Sequence, residues 1–262
     1  MKIVAICNSK GGVGKTTCTI NIGAGLAKQK YKVLLIDLDP HAHLTDAIGI
    51  KKDAQTNTVH EILTANIDPH LAIIKKNVFD VIPSRISLCQ ADQMLSSTPG
   101  GECVLREALE KIKEYDYIFI DCPPSLNHLT LNALAAAHEV FIPLQTQYMA
   151  MRGMEDLVQT IEIVKKRLNP SLAVTGIIAT FFTRSILSRE VINMVKKHFG
   201  DTVFKTIVRQ NIALAEAPSH GKTIFEYAPH SNGAKDFQSL CEEIVERNNP
   251  HGRENPKTRK RR

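Results

Sequence analysis

The 262-residue sequence has no apolar run approaching the roughly 18 uninterrupted residues that a membrane-spanning helix needs. Its N-terminus lacks a charged segment leading into an apolar stretch, so no secretory leader is expected and the protein is expected to be cytoplasmic. The six cysteines, at positions 7, 18, 89, 103, 122 and 241, include no Cys-x-x-Cys pair. That spacing points away from zinc sites and disulfide frameworks and toward thiols that are mostly buried and reduced. Internal repeats are absent, and biased composition is confined to the C-terminal tail. Aromatics make up only 5% of the chain and are not interleaved with basic residues, which argues against a surface that stacks single-stranded bases.

With 43% apolar residues the chain can bury a sizeable core, and a single α/β domain over residues 1–249 is expected. The net charge of +6 is not spread evenly: residues 253–262 supply +5 of it. Residues 250–262, punctuated by Pro250, Gly252 and Pro256, have almost nothing apolar to bury and are expected to form a disordered basic tail able to meet an anionic polymer. Phosphate neutralisation by such a tail gives affinity without sequence choice and a steep salt dependence.

Short apolar runs alternate with amphipathic stretches. Strands are expected at Ile3–Cys7, Val33–Ile36, Val78–Ile82, Tyr117–Ile120, Val140–Leu144, Val174–Ala179 and Val203–Val208. Helical spacing recurs in Val104, Leu105, Ala108, Leu109 and Ile112, in Met151, Met154, Leu157, Val158, Ile161, Val164 and Leu168, and in Phe237, Leu240, Cys241, Ile244 and Val245. This rhythm predicts the three-layer P-loop NTPase fold of the α/β class, a twisted and mostly parallel sheet with helices on both faces.

Asn-Ser-Lys-Gly-Gly-Val-Gly-Lys-Thr-Thr, residues 8–17, falls between the first expected strand and a helical stretch. A polyphosphate is held by inward-pointing backbone N–H groups, and Gly11, Gly12 and Gly14 let the chain approach it, with Val13 between them. Lys15 can reach the outer phosphates, Thr16 can place its hydroxyl on Mg²⁺, and Thr17 can donate to an inner phosphate. Asp121, delivered by Ile118-Phe119-Ile120, is expected to hold Mg²⁺ directly or through water, and Cys122-Pro123-Pro124-Ser125 forms a stiff turn suited to a γ-phosphate switch. Asp37-Leu38-Asp39-Pro40 follows the second strand. Alternation puts both carboxylates on one side, so one can support the metal shell while the other orients the attacking water.

Ser9-Lys10 departs from the common loop, which has a glycine at position 9 and no second lysine. This departure resembles the deviant Walker A motif of the ParA/MinD/nitrogenase-iron-protein superfamily. The stretch Asn211 to Lys222, followed by Tyr227-Ala228-Pro229 and Ser231-Asn232-Gly233-Ala234, extends the likeness, and over nearly its whole length the chain resembles ParA/Soj-type partition ATPases. The resemblance implies a slow Mg²⁺-dependent ATP hydrolase that forms an ATP-sandwich homodimer, in which Lys10 contacts the nucleotide of the partner subunit. It gives the water to Asp39, leaving Asp37 to the metal shell, and it makes Arg209 and Asn211 candidate base contacts, although an arginine replaces the expected proline. It also implies non-specific binding of double-stranded DNA, a ParB-like partner that stimulates hydrolysis, and a nucleoid-associated role in segregating a chromosome or plasmid.

Family members usually follow Asp-Pro with Gln-Gly-Asn, whereas this chain has His41-Ala42-His43, so its switch is expected to behave differently. Two arginines that flank the asparagine in many relatives are replaced by Gln210 and Ala213. Candidates for DNA contact are therefore Arg184, Arg189, Lys196, Lys197, Lys205 and Arg209 on the body, and Arg259, Lys260, Arg261 and Arg262 in the tail. Three alternatives stand beside this reading. A MinD-like membrane-recruited regulator needs an apolar face at its C-terminus, which the tail lacks. An iron–sulfur electron donor needs two converging cysteines per subunit. A positioning ATPase for a protein cargo shares the whole site, and the residues do not separate it from the partition reading.

Overall fold

The computed structural model describes residues 1–51, 57–146 and 152–248. Seven strands form one sheet: β1 (Lys2–Ile6), β2 (Val33–Asp37), β3 (Asp80–Ile82), β4 (Tyr117–Asp121), β5 (Glu139–Gln145), β6 (Ala173–Phe182) and β7 (Val203–Arg209), in the order β3-β2-β4-β1-β5-β6-β7. Every pairing between them is parallel, so the mostly parallel sheet expected from the sequence is all-parallel. A single antiparallel bridge, Ile74 to Val81, lies outside the strand pairs among the described residues. Burial on both faces explains why β2 (Val-Leu-Leu-Ile-Asp) and β4 (Tyr-Ile-Phe-Ile-Asp) are buried at every position.

Strand alternation divides the core into two layers. Ile118 and Ile120 of β4 and Leu34 and Ile36 of β2 face one cluster, packed by α3 (Val59–Ala65), α4 (Leu88–Ser97), α5 (Val104–Leu109), α6 (His128–Ala136), α7 (Arg152–Arg167) and α8 (Ile186–Phe199). Tyr117, Phe119, Val33 and Leu35 face the other, packed by α1 (Lys15–Lys28), α2 (His43–Ala47), α10 (Ile224–Tyr227) and α11 (Asn232–Asn248). A short α9 (Ile212–Glu216) follows β7. The alternation places helices on both faces, as the periodicity predicts.

Two close approaches set the position of α1. A side chain on Gly23 would come within 2.8 Å of Leu35, and one on Gly25 within 2.5 Å of the Cys241 sulfur. The helix therefore lies tight against β2 and α11, with its N-terminus at the C-terminal ends of β1 and β4. Parallel sheets gather ligand sites at that end. Met151 and the whole basic tail, including Arg259, Lys260, Arg261 and Arg262, lie outside the described residues.

Candidate functional site: a phosphate loop facing two buried carboxylates

β1 ends at Ile6, and the chain then turns through the glycine loop into α1. Gly12 and Gly14 adopt φ of +73° and +90°, a left-handed conformation that costs glycine nothing. No heavy atom lies within 4 Å of a side chain built on Gly11 or Gly12, so the loop opens onto free space. Helix α1 begins after Gly14 without any side-chain cap, which leaves its first-turn N–H groups for an anion. The loop is pinned from below and from the side. Asn8 Nδ2 donates to the Pro143 carbonyl at 2.7 Å, its Oδ1 accepts from the Lys10 N–H at 2.9 Å, and Thr180 Oγ1 donates to the Val13 carbonyl at 2.9 Å.

Lys15 is largely buried, and its ammonium donates to the Lys10 carbonyl at 3.3 Å, folded back along the loop. The Lys10 side chain, in contrast, is exposed. Thr16 Oγ1 donates to Asp121 Oδ2 at 2.7 Å and Thr19 Oγ1 to Asp121 Oδ1 at 3.2 Å, so the two residues expected at the metal already touch. Asp121 is fully buried, and burial together with the nearby Asp37 carboxylate pushes its pKa up to about 8, against the lowering influence of Thr16 and Lys15. Asp37 lies beside Asp121 in the sheet register. Burial raises Asp37 to about 6, partly offset by hydrogen bonds.

Those hydrogen bonds separate the two aspartates of the Asp37-Leu38-Asp39 stretch. Asp37 Oδ2 accepts from the Thr45 N–H at 2.8 Å and hydroxyl at 2.6 Å, and Oδ1 accepts from the Asp39 N–H at 3.1 Å. Asp37 thus ties the end of β2 to α2 and supports the site from behind. Asp39 instead lines the open cavity with Gly11, Gly12, Gly14, Lys15, Thr16, Thr17, His41, His43, Pro124 and Phe181. Its Oδ1 accepts from the His41 N–H at 2.9 Å and its carbonyl from Ser84 Oγ at 2.8 Å, which holds the turn that presents the carboxylate.

A second, mainly apolar cavity adjoins the loop, lined by Gly14, Thr17, Cys18, Phe181, Val208, Arg209, Asn211, Leu214 and Phe237 among others. Asn211 caps α9, its side-chain oxygen accepting from the Ala213 N–H at 2.9 Å. Arg209 lines the cavity but is committed elsewhere: Nε and Nη2 clamp Asp236 at 2.6–3.1 Å, and its backbone N–H donates to the same carboxylate at 3.0 Å. Its fork is therefore largely taken up within the protomer, which removes much of its capacity for DNA. Phe181 lies between the two cavities at φ +51°, a strained conformation for an aromatic residue, and sequence reasoning gave no sign of it. Of the remaining basic candidates, Arg184, Arg189, Lys196, Lys197 and Lys205 are exposed. Arg189, Lys196 and Lys197 share the outer side of α8, whose inner side buries Val191, Ile192 and Val195. The six cysteines are free thiols; Cys7, Cys18, Cys122 and Cys241 are buried, Cys89 is exposed and Cys103 half-buried. Among the described residues no group of three or more His, Cys, Asp or Glu side chains could hold a metal ion, and no helix is long and apolar enough to cross a membrane.

The donor set fits Mg²⁺ beside a polyphosphate, since Thr16 lines the cavity of the open glycine loop and its hydroxyl donates to the buried Asp121 carboxylate, and the crowded acidic pair gains from a cation. A parallel sheet with such a loop between its first strand and first helix defines a P-loop nucleoside triphosphatase. Comparison with known proteins narrows the class. Residues 1–174 match a family described as an AAA domain. The chain is similar to the sporulation initiation inhibitor protein Soj of Bacillus subtilis, 45% identical over 93% of this chain and 98% of that protein. It is 42% identical to the chromosome partitioning protein ParA of Myxococcus xanthus, over 95% of this chain and 89% of that protein. Its fold is also similar to that of cobyrinic acid a,c-diamide synthase from Mycobacterium smegmatis, solved with ADP and magnesium and with an ATP analogue and magnesium, at a TM-score of 0.84, 33% identity and 98% coverage of both chains. The chain belongs to the ParA/Soj family of chromosome-partitioning ATPases.

Proposed function

We propose that this protein is a nucleotide switch for DNA segregation, in which ATP and Mg²⁺ bring two protomers face to face and hydrolysis separates them. The observation that carries this reading is the position of Asp39, which shares one open cavity with Lys15, Thr16 and the glycine loop while Asp37 is occupied with Thr45. Loop amides and Lys15 bind the phosphates and stabilise charge that develops on the transferred group. Asp39 accepts a hydrogen bond from the attacking water and orients it in line. Thr16 and Asp121 would hold Mg²⁺, which when bound would neutralise charge on the phosphates. Asn211 and the apolar cavity beside Gly14 take the base, and Arg209 forms part of its wall. The exposed Lys10 reaches the nucleotide of the partner subunit.

The dimer presents α8 to duplex DNA, with Arg184, Arg189, Lys196, Lys197 and Lys205 contacting the backbone without sequence choice. The tail of residues 250–262 adds Arg259, Lys260, Arg261 and Arg262 to the single domain of residues 1–249. A ParB-like partner accelerates the slow intrinsic turnover and so releases the dimer, and the protein acts in the cytoplasm on the nucleoid. The test is Asp39→Ala: steady-state ATP hydrolysis falls about 10²- to 10⁴-fold, as expected for loss of a group that handles the water, while ATP-dependent retention on plasmid DNA persists. Brisk hydrolysis in that variant would falsify the assignment.

A further inference from the structure

The His-Ala-His segment that stands where the family usually carries Gln-Gly-Asn has no role in the mechanism above, yet it borders the phosphate cavity. His41 and His43 line that cavity together with Gly11, Gly12, Lys15, Thr16 and Asp39. Both side chains are exposed, and their rings stack with centroids 5.6 Å apart at an interplanar angle of 19°. Ala42 between them is fully buried and adopts φ +55°. A left-handed alanine costs about 1–2 kcal/mol, and the conformation buries the middle residue while turning its two neighbours outward. The His41 backbone is also tied to Asp39 through the 2.9 Å hydrogen bond, which links the segment that carries the pair directly to the Asp39 carboxylate.

We infer that His41 and His43 form a second set of phosphate-binding donors, which close on the terminal phosphate of a bound nucleoside triphosphate from the side opposite the glycine loop. The inference rests on the reading that this cavity takes ATP. An imidazole offers an N–H in its neutral form and two when protonated, and hydrogen bonds from such groups to a phosphate oxygen are among the stronger ones in proteins. With the pair set on the terminal phosphate, a diphosphate would leave it without that contact. The pair therefore distinguishes ATP from ADP, and because His41 hangs on Asp39, it couples the presence of the last phosphate to the placement of the water-orienting carboxylate.

The experiment compares Mg²⁺-dependent dissociation constants of a non-hydrolysable ATP analogue and of ADP, by calorimetry, for the unchanged protein, for H41A/H43A and for H41Q/H43N. Loss of two phosphate contacts weakens the ATP analogue about ten- to hundred-fold in H41A/H43A, with ADP changed less than about two-fold. The amide N–H groups of H41Q/H43N restore most of the difference. Thermal unfolding of the nucleotide-free variants controls for damage to the fold, which exposed positions should not cause. Equal weakening of both nucleotides in H41A/H43A, or no weakening of either, overturns the inference while leaving the ATPase reading intact. Failure of the unchanged protein to bind the analogue at all removes both.

Discussion

Burial of the neighbouring Asp121 and Asp37 carboxylates gives the site a measurable pH dependence. Asp121 is held near 8 against an ordinary value of 3.8, and Asp37 near 6. A carboxyl raised in the native state keeps a proton that the unfolded chain has already released. Stability without nucleotide is therefore greatest at the acid end of this window and falls as pH rises from about 4 toward 8. Asp121→Asn removes the larger titration while keeping an oxygen for Thr16 and Thr19. In chelator, the variant should melt above the parent at pH 8, by about 2–4 °C for each kcal/mol recovered, and the gap should close toward pH 4. Added Mg²⁺ and ATP should stabilise the parent but not the variant. Melting profiles that coincide across the whole range would show that burial does not raise Asp121 in the native state. The acidic residues themselves were legible in the sequence because each ends an apolar run. Their hydrogen-bond partners were not: Thr45 lies eight residues from Asp37, and Thr19 meets Asp121 across 102 positions.

At the scale of elements, all seven strands were legible, because a parallel strand covered on both faces has to be apolar at nearly every position. Their ends were less so. β3 begins at Asp80 and not Val78, and β6 runs past Ala179 to Phe182 through register shifts against β7. The left-handed Phe181, within β6, and the left-handed Ala42 carry no glycine or asparagine to announce them, so no turn rule finds them. The Arg209–Asp236 clamp joins β7 to α11, and only the packing of those two elements reveals it. The outer face of helix α8, opposite the buried Val191, Ile192 and Val195, carries the next expectation. Replacing Arg189, Lys196 and Lys197 together by alanine should leave thermal stability unchanged, since all three are exposed. The slope of log affinity for duplex DNA against log salt should flatten by about 0.9 for each phosphate contact removed. Filter binding or fluorescence anisotropy over a salt series reads this directly, and an unaltered slope assigns the DNA contacts to the tail or to another face.

For the whole molecule the decisive question is whether one protomer completes the site of another. Within a protomer the loop is self-consistent: Lys15 folds back onto the Lys10 carbonyl, Thr16 meets Asp121, and the Lys10 side chain stands out into solvent. A lysine is well hydrated when exposed, so removing Lys10 costs the isolated protomer little, and binding of ATP in cis should survive. In a face-to-face pair the same ammonium meets a triphosphate in a site closed to water, where a charge-assisted contact contributes about 1.5–3 kcal/mol and occurs twice by symmetry. Lys10→Ala should therefore abolish ATP-dependent association before it weakens nucleotide binding. Light scattering with a non-hydrolysable analogue should give the parent twice its 29.1 kDa chain mass and leave Lys10→Ala at one chain mass, while calorimetry detects the analogue in both. If the variant dimerises as the parent does, the second lysine is an ordinary solvated charge, and the switch has to be built from residues of a single protomer.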